Sequence, residues 1–217
     1  MSDVFSCNDP AQRTTGMARA KDSLARSGLI VLPTDTVYGL AADAFDPTGV
    51  RRLLRAKGRG RDMPTPVLIS SAEVLTALAT GVTVEARELA EAFWPGGLTL
   101  IFRQQTSLRW DLGDSRGTVA MRVPDHSDAL ALLADTGPLA VSSANTTGMP
   151  PATTVQEAQD MLADAVDVYL DAGPSPAAGA STIVDATTDI LVVRRQGVIG
   201  VDALREVVTS LEVAEPG

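Results

Sequence analysis

The sequence predicts a single-domain α/β fold, a twisted sheet of mixed parallel and antiparallel strands with flanking helices. Three observations carry that prediction. Apolar runs of strand length alternate with longer stretches of helical period, the pattern of a layered α/β fold rather than of a bundle or an all-β sandwich. Some neighbouring strand segments have too little chain between them for a parallel crossover, so antiparallel pairs must lie beside parallel ones. The 217 residues, 45% of them hydrophobic, suffice for one sizeable core.

In chain order, a helix is expected over 15–27, closed by Gly28, and it runs into the apolar strand 29–32. Asp46 and Pro47 open a helix over 47–56, an N-cap followed by the residue favoured at the first helical position. Strand 67–70 follows, and Thr83 starts a helix over 84–93. Strands 98–102 and 119–123 are joined only by a loop and form one antiparallel pair. Helix 127–134, strand 139–142, helix 155–163 and strand 168–170 then alternate. Strands 182–185 and 190–194 make a second antiparallel pair, and a helix over 202–210 ends the fold. Residues 1–13 are expected to form a flexible N-terminal segment, 14–211 the domain and 212–217 a disordered tail. The loop 173–180, GPSPAAGA, is either a plain surface connection or a flap that folds over a ligand.

Composition removes several classes of function. A net charge of -9 argues against a surface built to coat nucleic acid, so any basic patch must be local. The apolar runs LTLIF and ILVV fall far short of the roughly 20 residues of a membrane helix, and no hydrophobic signal core opens the chain. A cytoplasmic protein with no membrane partner is expected. Cys7 is the one cysteine, in a polar segment, and is read as inert. His126 is the one histidine; it stands where a helix starts and is read as a cap. Neither a P-loop nor a GxGxxG after a strand is present, so a bound nucleotide would be held in another way.

The chemistry then falls to cations, hydroxyls and amides. In 32–61, LPTDTVYGLAADAFDPTGVRRLLRAKGRGR, a Thr-Asp-Thr turn precedes a helix that delivers Lys57, Arg59 and Arg61 just past its end. That is the outline of a phosphate or carboxylate site. Lys57 is one of two lysines beside sixteen arginines. In 137–154, Ser142, Ser143 and Asn145 end an apolar strand, where they either meet a ligand or cap a turn. Arg122 lies within the apolar strand VAMRV, which favours burial against an anion over a solvated edge. Ser181 and the Arg194-Arg195 pair repeat the theme of a hydroxyl and an arginine at strand ends.

These blocks resemble the YrdC-like family, the threonylcarbamoyl-AMP synthases. PTDTVYGLAADAF, Lys57-Gly58-Arg59, WPGGLT, VAMRVPDH, VSSANTTGMP, STIVD and RRQG occur in the family's order over about 14–200. The resemblance implies the YrdC-like α/β fold and a reaction in which L-threonine, bicarbonate and ATP give threonylcarbamoyl-AMP and pyrophosphate. That is the first step of the threonylcarbamoyl modification of the adenosine next to the tRNA anticodon. Carried over by position, Lys57 and Arg59 are the catalytic pair and grip ATP together with Thr118, Ser143, Asn145, Thr153 and Arg195. Thr34, Tyr38, Arg122 and Ser181 form the threonine site, with Arg122 on the carboxylate. Mg²⁺ is expected with the ATP, without an assigned protein ligand, because Asp35 in its turn reads as a local cap. A downstream threonylcarbamoyl-transfer complex is the implied partner, and tRNA only indirectly.

Two departures from the family pattern stand out. Ser70 occupies the place of a histidine that the family sets near threonine, and the chain has the length of the short form. Lys57 and Arg59 follow a helix end, so replacing either is expected to leave the fold intact. Two other readings remain. One is an RNA-binding or ribosome-maturation module of the same fold, with Arg51, Arg52, Arg55, Lys57, Arg59 and Arg61 as its basic patch. The other, the carbamoyl-transferring domain of hydrogenase maturation factors, comes with zinc fingers that one Cys and one His cannot build.

Overall fold

In a computed structural model of the chain, residues 2–176 and 179–214 are described. The strands are β1 (Asp3–Ser6), β2 (Ile30–Leu32), β3 (Gly39–Asp43), β4 (Val67–Leu68), β5 (Ala79–Thr80), β6 (Leu98–Gln104), β7 (Thr118–Arg122), β8 (Leu139–Ser143), β9 (Val168–Asp171), β10 (Thr182–Asp185), β11 (Leu191–Arg195) and β12 (Leu211–Val213). The helices are α1 (Pro10–Leu24), α2 (Pro47–Lys57), α3 (Leu75–Leu78), α4 (Val84–Phe93), α5 (Ser127–Thr136), α6 (Val155–Leu162) and α7 (Val201–Val207).

Among the described residues all strands join one sheet, in the order β1-β9-β2-β3-β8-β4-β7-β6-β10-β11-β12, with β5 paired to β6. The mixed character read from the loops holds: β6–β7 and β10–β11 are antiparallel, while β4–β7 and β6–β10 are parallel. The two halves of the sheet are covered differently. Around β2 the side chains alternate between two packed layers, Ile30 and Leu32 against α1 and α5, and Val31 against α2 and α6. Around β6, β7 and β10 only one face is packed. Leu98, Leu100, Phe102, Met121 and Val184 point to α3, α4 and α7, while Thr99, Ile101, Ala120, Arg122 and Ile183 on the opposite face border a cavity.

The chain ends are more ordered than expected. Residues 3–6, taken as flexible, pair in parallel with β9, and the first helix starts at Pro10 rather than at 15 because Asp9 caps it through the Ala11 and Gln12 amides. Gly28 does not close this helix. Ser27 takes the left-handed turn (φ 61), and a Cβ on Gly28 would lie 2.0 Å from Ser23 Oγ. In the expected tail 212–217, residues 212 and 213 continue β12, which pairs in parallel with β11, and 215–217 lie outside the described residues. Strand β3, reading GLAAD, has no β-branched residue to announce it, but its first four residues are buried between β2 and β8. Gly39 is needed there, since a Cβ would come within 2.7 Å of Val141 Cγ1.

Candidate active site

The uncovered face of β6, β7 and β10 forms the floor of a cavity of about 390 Å³, within the range of small-molecule sites. Its lining contains three arginines, Arg59, Arg122 and Arg195, a set of threonine and serine hydroxyls, and no carboxylate. In a chain with 27 acidic residues and a net charge of -9, that lining is a local cationic well.

Helix α2 supplies the first part. Its C-cap Gly58 sits in the left-handed region (φ 62), and the Arg59 amide returns to Leu54 O. The turn sends Lys57 and Arg59 in different directions. Lys57 is 3% exposed. Its Nζ donates to Ser143 O (2.6 Å), Asn145 O (2.6 Å) and Asn145 Oδ1 (3.1 Å), which uses all three of its N–H groups. Burial, and then the neighbouring Arg59, lower its pKa to about 8. Arg59 instead lines the cavity, donating to Ser142 Oγ (3.2 Å) and leaving a buried Nε without a partner. Burial holds its pKa below the usual arginine value, although Asp62 partly offsets this.

Strands β7, β10 and β11 supply the rest. Arg122 is 7% exposed. It donates from Nε to Gly96 O (2.8 Å), from Nη1 to Thr36 Oγ1 (2.8 Å) and from Nη2 to Asp35 Oδ1 (2.6 Å). Thr34 Oγ1 accepts from the Thr36 amide and donates to Val37 O (2.7 Å), which closes the turn over Arg122. Arg195 donates to Ser181 O (2.8 Å), and its pKa is lowered by burial and by Arg59. Ser181 Oγ accepts from Thr99 Oγ1 (2.9 Å), and Thr118 Oγ1 donates to Ser115 O (2.7 Å).

Of the residues singled out in the sequence, Thr34, Tyr38, Arg59, Thr118, Arg122, Ser143, Ser181 and Arg195 line this one cavity. Lys57, Asn145 and Thr153 do not. Lys57 and Asn145 hold the 143–149 segment, with Asn145 Nδ2 donating to Met149 O (2.6 Å). Thr153 donates through its amide and hydroxyl to Glu157 and so braces the start of α6. Tyr38 reaches the cavity wall, yet its hydroxyl donates to Gly173 O (2.5 Å) and accepts from the Ala172 amide. Ser70 is absent from the lining.

Asp35 is no local cap. Its Oδ1 takes Arg122 and the Asp125 amide (2.9 Å), both distant in sequence. His126 caps α5 as read, accepting the Asp128 amide at Nδ1 (3.3 Å). Cys7 suits an inert role, its thiol pushed up to about 12 by burial and then by Asp128. The flap expected at 173–180 includes Ala177 and Ala178, which lie outside the described residues. The basic patch of the RNA-binding reading does not assemble. Lys57 is buried, Arg59 faces the cavity, Arg61 pairs with Asp111 and Asp114, and Arg52 donates to Ser27 O.

Sequence reasoning passed over Thr36, Thr65 and Thr99. Thr65 is 2% exposed, lines the cavity and has no partner for its Oγ1 among the described residues. Thr99 carried a usable signal, a polar residue at every-other spacing within LTLIF. Thr65, between two prolines, carried none.

The family model described as "Telomere recombination", that of the Sua5/YciO/YrdC domain, matches residues 22–197. The chain belongs to this family. Among its relatives in the Sua5/YciO/YrdC family, a chain of Mycobacterium leprae provisionally named threonylcarbamoyl-AMP synthase is 51% identical over 207 residues, covering 95% of this chain and 94% of that one. The threonylcarbamoyl-AMP synthase of Bacillus subtilis is 34% identical over 98% of this chain and 61% of its own length. The crystal structure of Sua5 from Pyrococcus abyssi complexed with L-threonine superposes with a TM-score of 0.91 at 30% identity, covering 99% of this chain and 62% of that one. The family relatives bear the name of an enzyme that transfers a nucleotidyl group, and this chain is an enzyme of that class.

Proposed function

We propose that this chain is an L-threonylcarbamoyladenylate synthase, converting L-threonine, bicarbonate and ATP to threonylcarbamoyl-AMP and pyrophosphate, with the product passed on for modification of the adenosine next to the tRNA anticodon. The observation that supports it most is the division of the cavity's cations. Arg59 lowers the proton affinity of Arg195, and neither of the two hydrogen-bonds a carboxylate, whereas Arg122 is paired with Asp35. A pair of guanidiniums with no bonded carboxylate suits a polyphosphate, and a single oriented guanidinium beside Thr34, Thr36 and Ser181 suits a small amino-acid carboxylate.

In this reading the amine of threonine and bicarbonate form a carbamate with loss of water, and a carbamate oxygen attacks the α-phosphorus as pyrophosphate leaves. Arg59 and Arg195 neutralise the phosphates, Thr118 and Ser143 donate to the nucleotide, and Arg122 fixes the carboxylate so that the carbamate oxygen and the phosphorus meet. Lys57 acts one step back, by holding the carbonyls of residues 143 and 145. The residues present do not fit a protein-held Mg²⁺. The lining offers no carboxylate, and the described residues hold no group of three His, Cys, Asp or Glu that suits a metal. Mg²⁺ would then arrive bound to the phosphates of ATP.

Purified protein should release pyrophosphate from ATP only when L-threonine and bicarbonate are both supplied. Equal release with serine, or with no amino acid, would overturn the assignment. RNA binding without threonine-dependent turnover would favour a non-catalytic module instead.

A further inference from the structure

Asp35 stands in no substrate role above, and its placement is unusual. Its Oδ1 accepts from Arg122 Nη2 (2.6 Å) and from the Asp125 amide (2.9 Å), which ties the turn before β3 to the loop after β7. The pair is well shielded, with side chains 8% and 17% exposed. A guanidinium has five N–H donors. Gly96 O, Thr36 Oγ1 and Asp35 take three of those on Arg122, leaving one on each terminal nitrogen, the two that grip a carboxylate in fork geometry. Asp35 therefore fixes the plane in which the fork lies.

It also sets the charge. Arg59 and Arg195 share the cavity with Arg122 but have hydroxyl and carbonyl partners only. Without Asp35, all three cations would compete for the most highly charged ligand. We propose that Asp35 is a positioning and specificity residue: it orients Arg122 for the substrate carboxylate and, by cancelling its charge, keeps the phosphate chain at the Arg59–Arg195 end. The inference rests on the assignment of Arg122 to the amino-acid end.

Calorimetry on the full chain, with L-threonine and inorganic pyrophosphate as probes, separates the parts. Binding of threonine to the wild-type protein tests the underlying reading. If that fails, the function above fails with it. Asp35→Asn keeps an acceptor for Nη2 and the Asp125 amide but removes the charge. It should bind threonine within about threefold of wild type, yet pyrophosphate should now displace threonine, where in the wild type the two bind independently. Asp35→Ala removes orientation as well and should weaken threonine by about tenfold to a hundredfold. A melting curve on each variant identifies global unfolding, and Asp35→Asn carries the test if Asp35→Ala does not fold. The inference is overturned if wild type binds threonine and Asp35→Asn shows no new competition, or if its threonine and pyrophosphate affinities fall together.

Discussion

Lys57 shows how far a residue can depart from the role its position suggests. Just past a helix, in a basic cluster, it reads as an exposed phosphate ligand. In the fold it is a buried cation held by oxygens alone. Replacing it with Met would orphan Asn145 O and Oδ1 at about 1–3 kcal/mol each, while Ser143 O keeps the Asn145 amide as a donor. That only slightly exceeds the relief of a buried charge whose depressed pKa corresponds to about 3 kcal/mol. Lys57→Met should thus lose about 1 kcal/mol in a denaturant titration, and turnover with it. The premise that Lys57, following a helix end, lies outside the core is corrected by its burial. The pH dependence has two signs. The folded-state pKa of about 8 lies below the ordinary 10.5, so the folded chain releases this proton first, and the contribution of Lys57 to stability rises between those values. The neutral amine has only two N–H groups for three oxygens, so turnover should fall as pH passes about 8 without a matching drop in melting temperature.

At the scale of elements, the sequence revealed those parts whose pattern is local. Helices α2, α4 and α6, each with an Asp or Thr cap, and the strands rich in Val, Ile and Leu lie close to where periodicity put them. What escaped were the short α3 and β1, β3, β5 and β12, strands that owe their existence to neighbours rather than to propensity. Strand β1 is locked by a close approach to α1: a Cβ on Gly16 would sit 2.6 Å from Phe5 Cβ. Alanine at a mid-helix glycine normally gains about 1 kcal/mol, but overpacking of a rigid contact costs about 1–3 kcal/mol. Gly16→Ala should therefore destabilise the chain, seen as a lower melting temperature. A higher one would mean that β1 moves aside without cost.

For the whole molecule, an acidic body around a cationic cleft makes ionic strength a diagnostic. Added salt should weaken ATP binding more steeply than threonine binding, because only at the phosphate end do the arginines lack a bonded carboxylate; equal salt slopes for the two ligands would contradict this. Eight of the eleven singled-out residues do meet in one cavity, since motif blocks mark chemistry even where the fold joining them is unseen. Burial and hydrogen-bond direction were not legible, which is why Lys57, Asn145 and Asp35 changed roles. The open face of the sheet adds a last point. Along β7, Met121 serves the core while Ala120 and Arg122 serve the cavity, so one strand carries two interleaved texts. Either text can be edited a letter at a time. A single inserted residue would exchange them, setting Met121 in the cleft and driving Arg122 into the core, so β7 behaves as a reading frame that tolerates substitution but not a shift.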